Sequence, residues 1–356
     1  MKPIYTLLFA LPLLLAGCAP RAEAPEVKNL IFLIGDGMGL AQYAMLEIEQ
    51  DYAPNAFTEA DHVALTTTRS ANNRVTDSAA AGTALATGHK TNNSMLGMLP
   101  DSTEVESMME RARDCGKATG LIASCYLQHA TPASFYAHVP RRHLYEQITD
   151  HLALSRFDVL IGGGMRWLTE EHLAHFNNEG YVLAKSIEEV EATSSSRIAG
   201  ILADEYLAHA PERGDVIPRA TKKALETLAQ DPDGFMLMVE GSQIDGAGHA
   251  NDPHYLLAEM EDFEQVVRIA VDFTRSHPGT LLVVTADHET GGLSLPSGKS
   301  DFTLSESGID YRFGTGSHSA IRVPAYLYGT GADGFEAMMD NTELSHRIEE
   351  LMGLRK

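Results

Sequence analysis

Hydrophobic positions along the chain fall into short continuous runs separated by segments of helical period. Asn29 to Ile34 is an apolar run that ends in Gly35-Asp-Gly-Met-Gly39, which predicts a buried strand entering a tight turn, with a helix from Leu40. Val63–Thr67, Ala118–Ser124, Val159–Ile161, Phe235–Val239, Leu281–Ala286 and Val323–Tyr328 read as further strands. Helical spacing covers Ser78–Thr87, Thr103–Asp114 with Gly116 as its stop, Leu144–Leu154, Arg219–Gln230, His254–Ser276 and Thr342–Met352. Residues 165–215 read as short helices and polar loops, with Thr193 to Ser196 as a mobile tip, and 294–316 as a Gly- and Ser-rich excursion. Strands that are apolar throughout and alternate with helices predict an α/β fold: three layers around a mostly parallel sheet covered on both faces. No repeat and no linker follow residue 28, so residues 29–356 read as one domain.

The placement of polar residues adds to this. Asp36, Glu240 and Asp287 each close a predicted strand. In open parallel sheets ligands bind beyond the carboxyl ends of strands. Three carboxylates brought to one edge repel each other unless cations hold them. Asp245-Gly-Ala-Gly-His249 offers a carboxylate and an imidazole that either a helical turn or a tight loop brings together. Asp287-His288 offers a second such pair, and His318 lies in a loop able to reach the same edge. Imidazole and carboxylate donors suit Zn²⁺. In Val75-Thr-Asp-Ser-Ala-Ala-Ala-Gly-Thr-Ala84, Asp77 or Ser78 caps a helix, and a hydroxyl at that point also faces the positive end of the helix dipole, where an anion is held.

Composition limits the partners. The chain has 356 residues, 44% hydrophobic and 21% charged, an ordinary globular balance. Its net charge of −22 argues against nucleic-acid binding and leaves an anionic substrate to local positive groups. Met1-Lys2 followed by the apolar run Ile4–Leu15 reads as an export signal too short to span a bilayer. Leu15-Ala-Gly-Cys18 resembles a bacterial lipobox, which implies cleavage after residue 17 and lipidation of Cys18, with 18–28 as a tether. Cys115 and Cys125 are expected to be free, buried thiols.

Several stretches together resemble the alkaline phosphatases: Ile34-Gly-Asp-Gly-Met-Gly39, the segment 75–84, Ala86-Thr-Gly-His-Lys-Thr91, Ala130-Thr-Pro-Ala133, Val239-Glu-Gly-Ser-Gln-Ile-Asp245 with His249, Thr285-Ala-Asp-His288, and His318. They occur in the family's order across nearly the whole mature chain. The resemblance implies a phosphomonoesterase in which Ser78 becomes phosphoserine. It further implies one zinc held by Asp245, His249 and His318, and a second held by Asp36, Asp287 and His288 that also meets Ser78. A third site, usually Mg²⁺, would use Asp36, Thr131 and Glu240. Arg142, rather than its neighbour Arg141, matches the arginine that clamps phosphate, with Asp77 beside it. Two departures stand out. His129 occupies a place where some members carry Asp, and Gly246 a place where members carry Lys or an aromatic ring. They imply an indirect role for His129 at the third site, a third site less selective for Mg²⁺ and open to Zn²⁺, and weaker phosphate holding. Family members are commonly homodimers, whereas the dimer-capping region is short here. The competing readings are a related phosphodiesterase or sulfatase, and a noncatalytic zinc-binding surface lipoprotein.

Overall fold

In the computed structural model, residues 27–303 and 306–355 are described. The export signal, the lipobox and most of the tether lie outside the described residues. Among those residues, no helix is long and apolar enough to cross a membrane.

The strands are β1 (Asn29–Gly35), β2 (His62–Thr67), β3 (Ala118–Tyr126), β4 (Val159–Gly163), β5 (Val182–Ala184), β6 (Ile198–Ala203), β7 (Phe235–Gly241) and β8 (Thr280–Thr285). The short β9 (Glu289–Thr290), β10 (Leu293–Ser294), β11 (Arg312–Phe313) and β12 (His318–Ser319) follow, then β13 (Val323–Gly329) and β14 (Met338–Asp340). Ten of them form one sheet in the order β14-β2-β13-β8-β1-β7-β3-β4-β6-β5. Its pairings are parallel except for β13, which runs antiparallel to β2 and β8. The helices used below are α1 (Leu40–Glu49), α2 (Ser78–Thr87), α3 (Met108–Asp114), α4 (Ala130–Ala133), α5 (Tyr145–Leu154), α6 (Glu170–Asn178), α7 (Ile187–Ala192), α8 (Ala210–Arg213), α9 (Val216–Leu228), α10 (Gln243–Ala250), α11 (Pro253–Ser276) and α12 (Asn341–Leu351).

β1 shows why both faces are covered. Leu30, Phe32 and Ile34 pack into one core with residues of α2, α3 and α12, while Ile31 and Leu33 pack into the other with residues of α1, α9 and α11. A strand buried on both faces has no polar side to show, hence the continuous apolar run. The chain leaves β7 on one side of β1 and returns as β8 on the other, so the carboxyl ends of three adjacent parallel strands open onto one crevice.

α2 is buried along its whole length. Its small residues allow this: a Cβ at Gly82 would lie 2.6 Å from the Ser134 hydroxyl just past α4. Gly88, at φ 73°, ends the helix in the left-handed region.

Four expectations change. The helix foreseen over 103–114 starts at Met108. Ser107 and Glu110 cap it reciprocally, and the preceding residues pair with 97–99 instead (Leu99 N–H to Thr103 carbonyl, 2.8 Å). Segment 165–215 contains two sheet strands, β5 and the largely buried β6, besides short helices. Gly162 and Gly163 belong to β4 rather than following it. Both thiols are free, as expected, but Cys115 is exposed, because it falls beyond the last turn of α3 beside Gly116; Cys125 is buried in β3.

Candidate metal and phosphate site

The floor of the crevice comes from the strand ends. Asp36 follows β1, Glu240 is the penultimate residue of β7, and Asp287-His288 follows β8; all four are 0% exposed. His288 Nε2 lies 3.1 Å from Asp287 Oδ2, 3.5 Å from Asp36 Oδ1 and 3.3 Å from Ser78 Oγ. Thr131, in α4, directs its hydroxyl at Asp36 Oδ2, 3.5 Å away. The other Asp287 oxygen accepts the Gly37 and His288 N–H groups at 3.1 and 2.9 Å. Ser242 donates to Glu240 Oε2 at 2.7 Å.

Three carboxylates so close are poorly compensated. Asp36 Oδ1, Asp287 Oδ2 and Glu240 Oε1 are buried and accept no hydrogen bond. Burial first, and then the neighbouring carboxylates, push Asp36 well above the usual carboxyl range and Asp287 up to about 8. Burial also raises Glu240. Orphaned, buried, mutually repelling oxygens around an imidazole are the donor set that divalent cations satisfy, and the residues present fit such ions.

The rim lies beside it. Asp245 and His249 share one face of α10, so the spacing resolves as a helical turn, and β12 supplies His318. Asp245 is 3.2 Å from His249 Nε2 and 3.5 Å from His318 Nε2. Each imidazole is held from behind, His249 Nδ1 by the Gly316 carbonyl and His318 Nδ1 by the Thr76 carbonyl, both at 2.9 Å. With Nδ1 committed to a backbone carbonyl, Nε2 is the nitrogen that faces Asp245; protonated, it donates to the carboxylate, and once that proton leaves it presents its lone pair, as a metal-ligating histidine does. The His318 ring stacks on His288 with centroids 3.5 Å apart, joining rim to floor. Donor atoms of Asp245, His249 and His318 lie within 4.8 Å of one another, and so do those of Asp36, Asp245 and His288, so Asp245 faces both groups.

Ser78 sits above the floor. Asp77 is the N-cap of α2: its Oδ1 accepts the Ala80 N–H at 3.0 Å and its Oδ2 the Ser94 N–H at 2.9 Å. Ser78 is therefore the first helical residue, 2% exposed, at the positive end of the helix. Arg142 approaches from the α4–α5 connection, with Nη1 3.4 Å from Asp77 Oδ2 and Nη2 3.0 Å from His129 Nε2. Arg141 is exposed. His129 is held neutral, its pKa pushed down to about 3 by burial and then by Arg142, and its Nδ1 has no partner. A Cβ at Gly246 would lie 3.2 Å from the Tyr255 hydroxyl, so a ring from α11 stands near the place where the sequence lacks one.

Every site residue expected from the sequence thus lies around one crevice. Sequence reasoning missed Ser242, Thr290 and Cys125. Thr290 donates to Asp245 Oδ1 and pairs with His288 Nδ1 at 3.2 Å. Its position two residues after His288 was the available signal. Cys125 Sγ lies 3.3 Å from Glu240 Oε2; its place near the end of a buried strand was the only hint.

The sequence model of the family described as alkaline phosphatase matches residues 27–312. Alkaline phosphatase 3 of Bacillus subtilis is 36% identical over 348 residues, covering 90% of this chain and 73% of that protein. The alkaline phosphatase of Escherichia coli is 29% identical over 411 residues, covering 92% and 86%. Among solved structures, the alkaline phosphatase of the Antarctic bacterium TAB5 superposes with a TM-score of 0.86 at 34% identity, covering 94% of this chain and 100% of that one. A variant of that enzyme with Mg bound in its M3 site gives 0.87 at 33% identity, with the same coverage.

Proposed function

The chain belongs to the alkaline phosphatase family of metal-dependent phosphomonoester hydrolases, and from that premise we propose that it cleaves phosphate monoesters through a phosphoserine at Ser78, with two zinc ions and one magnesium ion bound. The observation that carries this reading is the Ser78 hydroxyl at the start of a buried helix, 3.3 Å from His288 Nε2 and above three buried carboxylates with unpaired oxygens.

Asp36, Asp287 and His288 would hold one zinc, Asp245, His249 and His318 the other, and Asp36, Thr131 and Glu240 the magnesium. When bound, such cations lower the pKa of hydroxyl groups and neutralise phosphoryl oxygens. The residues supply the rest. Ser78 Oγ attacks phosphorus in line, the bond to the alcohol oxygen breaks, and the alcohol leaves with a proton. Backbone N–H groups of the first turn of α2 and the Arg142 guanidinium bind the equatorial oxygens as their charge redistributes. Asp77 orients Arg142 and caps the helix with the same carboxylate, so clamp and nucleophile are held in one frame. Water then cleaves the phosphoserine and regenerates the hydroxyl. A dianionic monoester suits the bidentate guanidinium better than a diester, which has one charged oxygen fewer.

Acid quenching with a monoester substrate and mass spectrometry of the Ser78 peptide tests this. A phosphorylated Ser78 is expected, together with about 10³-fold or greater loss of turnover in Ser78→Ala. Full activity in that variant, or faster hydrolysis of bis-p-nitrophenyl phosphate than of p-nitrophenyl phosphate, overturns the reading. Export with acylation at Cys18 and assembly as a homodimer belong to the same proposal. Labelled fatty acid incorporation in wild type against Cys18→Ser checks the first, and light scattering the second.

A further inference from the structure

We infer that Cys125 is a ligand of the third cation site, with Glu240 and His129, and that its thiolate makes this site take a soft, thiophilic divalent cation in place of Mg²⁺. The inference rests on reading the crevice as a metal centre, and it replaces the magnesium proposed above for the third site, whose expected donors, Asp36, Thr131 and Glu240, are oxygens alone.

Cys125 is the penultimate residue of β3, the strand hydrogen-bonded to the far side of β7, and is 0% exposed. A buried cysteine is commonly a small apolar filler. This one has its Sγ 3.3 Å from Glu240 Oε2 and 3.4 Å from the Tyr126 carbonyl, two oxygens that share its one proton. Cys125 Sγ, a ring nitrogen of His129 and a Glu240 oxygen all lie within 4.8 Å of one another. Glu240 is itself 0% exposed, and its Oε1 has no partner, while Oε2 already receives Ser242 and Cys125. His129 Nδ1 is likewise buried and unpaired. A sulfur, a nitrogen and an oxygen donor in one buried group form a zinc-type set; Mg²⁺ takes oxygen donors in an octahedron. On binding, Cys125 releases its S–H proton to solvent, so thiolate and carboxylate together balance a divalent charge.

The same arrangement couples the site to the phosphate clamp. Arg142 Nη2 donates to His129 Nε2 at 3.0 Å. If Nε2 takes the cation, its lone pair is used; if Nδ1 does, Nε2 carries the ring proton. A guanidinium has no lone pair to accept that proton. Loading the site by either nitrogen therefore ends the contact and frees Arg142 for substrate.

Titration of the metal-stripped full chain with Cd²⁺, followed by ultraviolet absorption and total bound metal, tests the inference. A thiolate-to-cadmium charge-transfer band is expected in wild type and in Cys115→Ser. It should be absent from Cys125→Ser and Cys125→Ala, which still bind cadmium at the remaining sites. In equimolar Zn²⁺ and Mg²⁺, the Zn:Mg ratio at the third site should fall about tenfold or more in the Cys125 variants. An unchanged band without Cys125, a band lost in Cys115→Ser, or a wild type that fills its sites with no band overturns the inference. A protein that binds no cation at all would instead sink the proposed function.

Discussion

The floor of the crevice, with Asp36, Asp287 and Glu240 around His288, and its rim, with Asp245, His249 and His318, use the same residue types yet hold their charges differently. On the floor, burial drives the carboxyls toward their protonated forms and leaves an oxygen of each unpaired. On the rim, burial also acts against the Asp245 carboxylate, but the hydrogen bond from His249 and the nearby imidazoles outweigh it and hold its pKa below the usual range. Asp245 in turn raises His249 to about 9. The rim neutralises itself and is pinned by backbone carbonyls; the floor is at odds with itself until a cation or protons arrive. Placing unpaired charge in the core destabilises the free protein and gives the floor its affinity for cations.

The sharpest test removes one floor charge. Asp36→Asn should lower phosphatase activity by about 10³-fold or more through loss of a donor. In the metal-stripped protein at pH 8 it should raise the melting temperature, because the wild type can fold there only by burying the Asp36 charge or by taking up a proton, at a cost of about 1 kcal/mol or more. A lower apo melting temperature in that variant breaks the contrast. Next in size, Arg142→Ala should reduce kcat/KM about 10²- to 10³-fold as one transition-state donor is lost, while Arg141→Ala stays within about twofold. Equal losses in steady-state kinetics would remove Arg142 from the site.

The contrast also has a pH signature. Asp287, raised from 3.8 to about 8, binds its proton more tightly in the folded apo protein than in the unfolded chain, so apo stability falls as pH rises toward 8. His249, raised from 6.5 to about 9, contributes stability that is complete below pH 6.5 and lost through pH 9. His129, lowered to about 3, gives the opposite slope, confined between pH 3 and 6.5. Chelator-treated protein should therefore have a lower denaturant midpoint at pH 8.5 than at pH 6.5, and added Zn²⁺ should flatten the difference by keeping Asp287 ionised. A flat apo profile would mean the floor is not under charge stress. The smallest effect belongs to the rim: His249→Ala should lower apo stability by no more than about 1 kcal/mol in equilibrium unfolding, since that pair is partly solvated.

Legibility in the sequence followed the same division between local and long-range causes. α2 matches its expected bounds because the small-residue run, the cap and Gly88 are all local signals. The strand-end carboxylates were readable because a parallel sheet delivers its carboxyl ends to one edge. The start of α3 was misread because Ser107 and Glu110 settle it through side-chain hydrogen bonds that apolar spacing does not report. β6 was lost because Gly200 interrupts its run and Thr193–Ser196 precedes it. No periodicity encodes the paths that bring Arg142 and His318 to the crevice; His318 was readable only as a loop histidine able to reach the edge, and Arg142 only through family resemblance. Cys125 and Glu240 are 115 residues apart, and their contact depends on β3 lying beside β7, which no local pattern specifies.

The excursion between β8 and β13 leaves as a two-step stem. His318 pairs with Thr290 and Ser319 with Glu289, then Leu293 pairs with Phe313 and Ser294 with Arg312. Gly291 N–H bonds the Ser317 carbonyl at 3.0 Å, between the two steps. The position of His318 is thereby set by pairs that lie between residue 294 and the sheet, while the segment beyond is tied separately to the body, with Tyr311 donating to Glu49 in α1. The stem thus works as a splint: a change in the length of the segment beyond residue 294 is separated from His318 by two sets of backbone pairs.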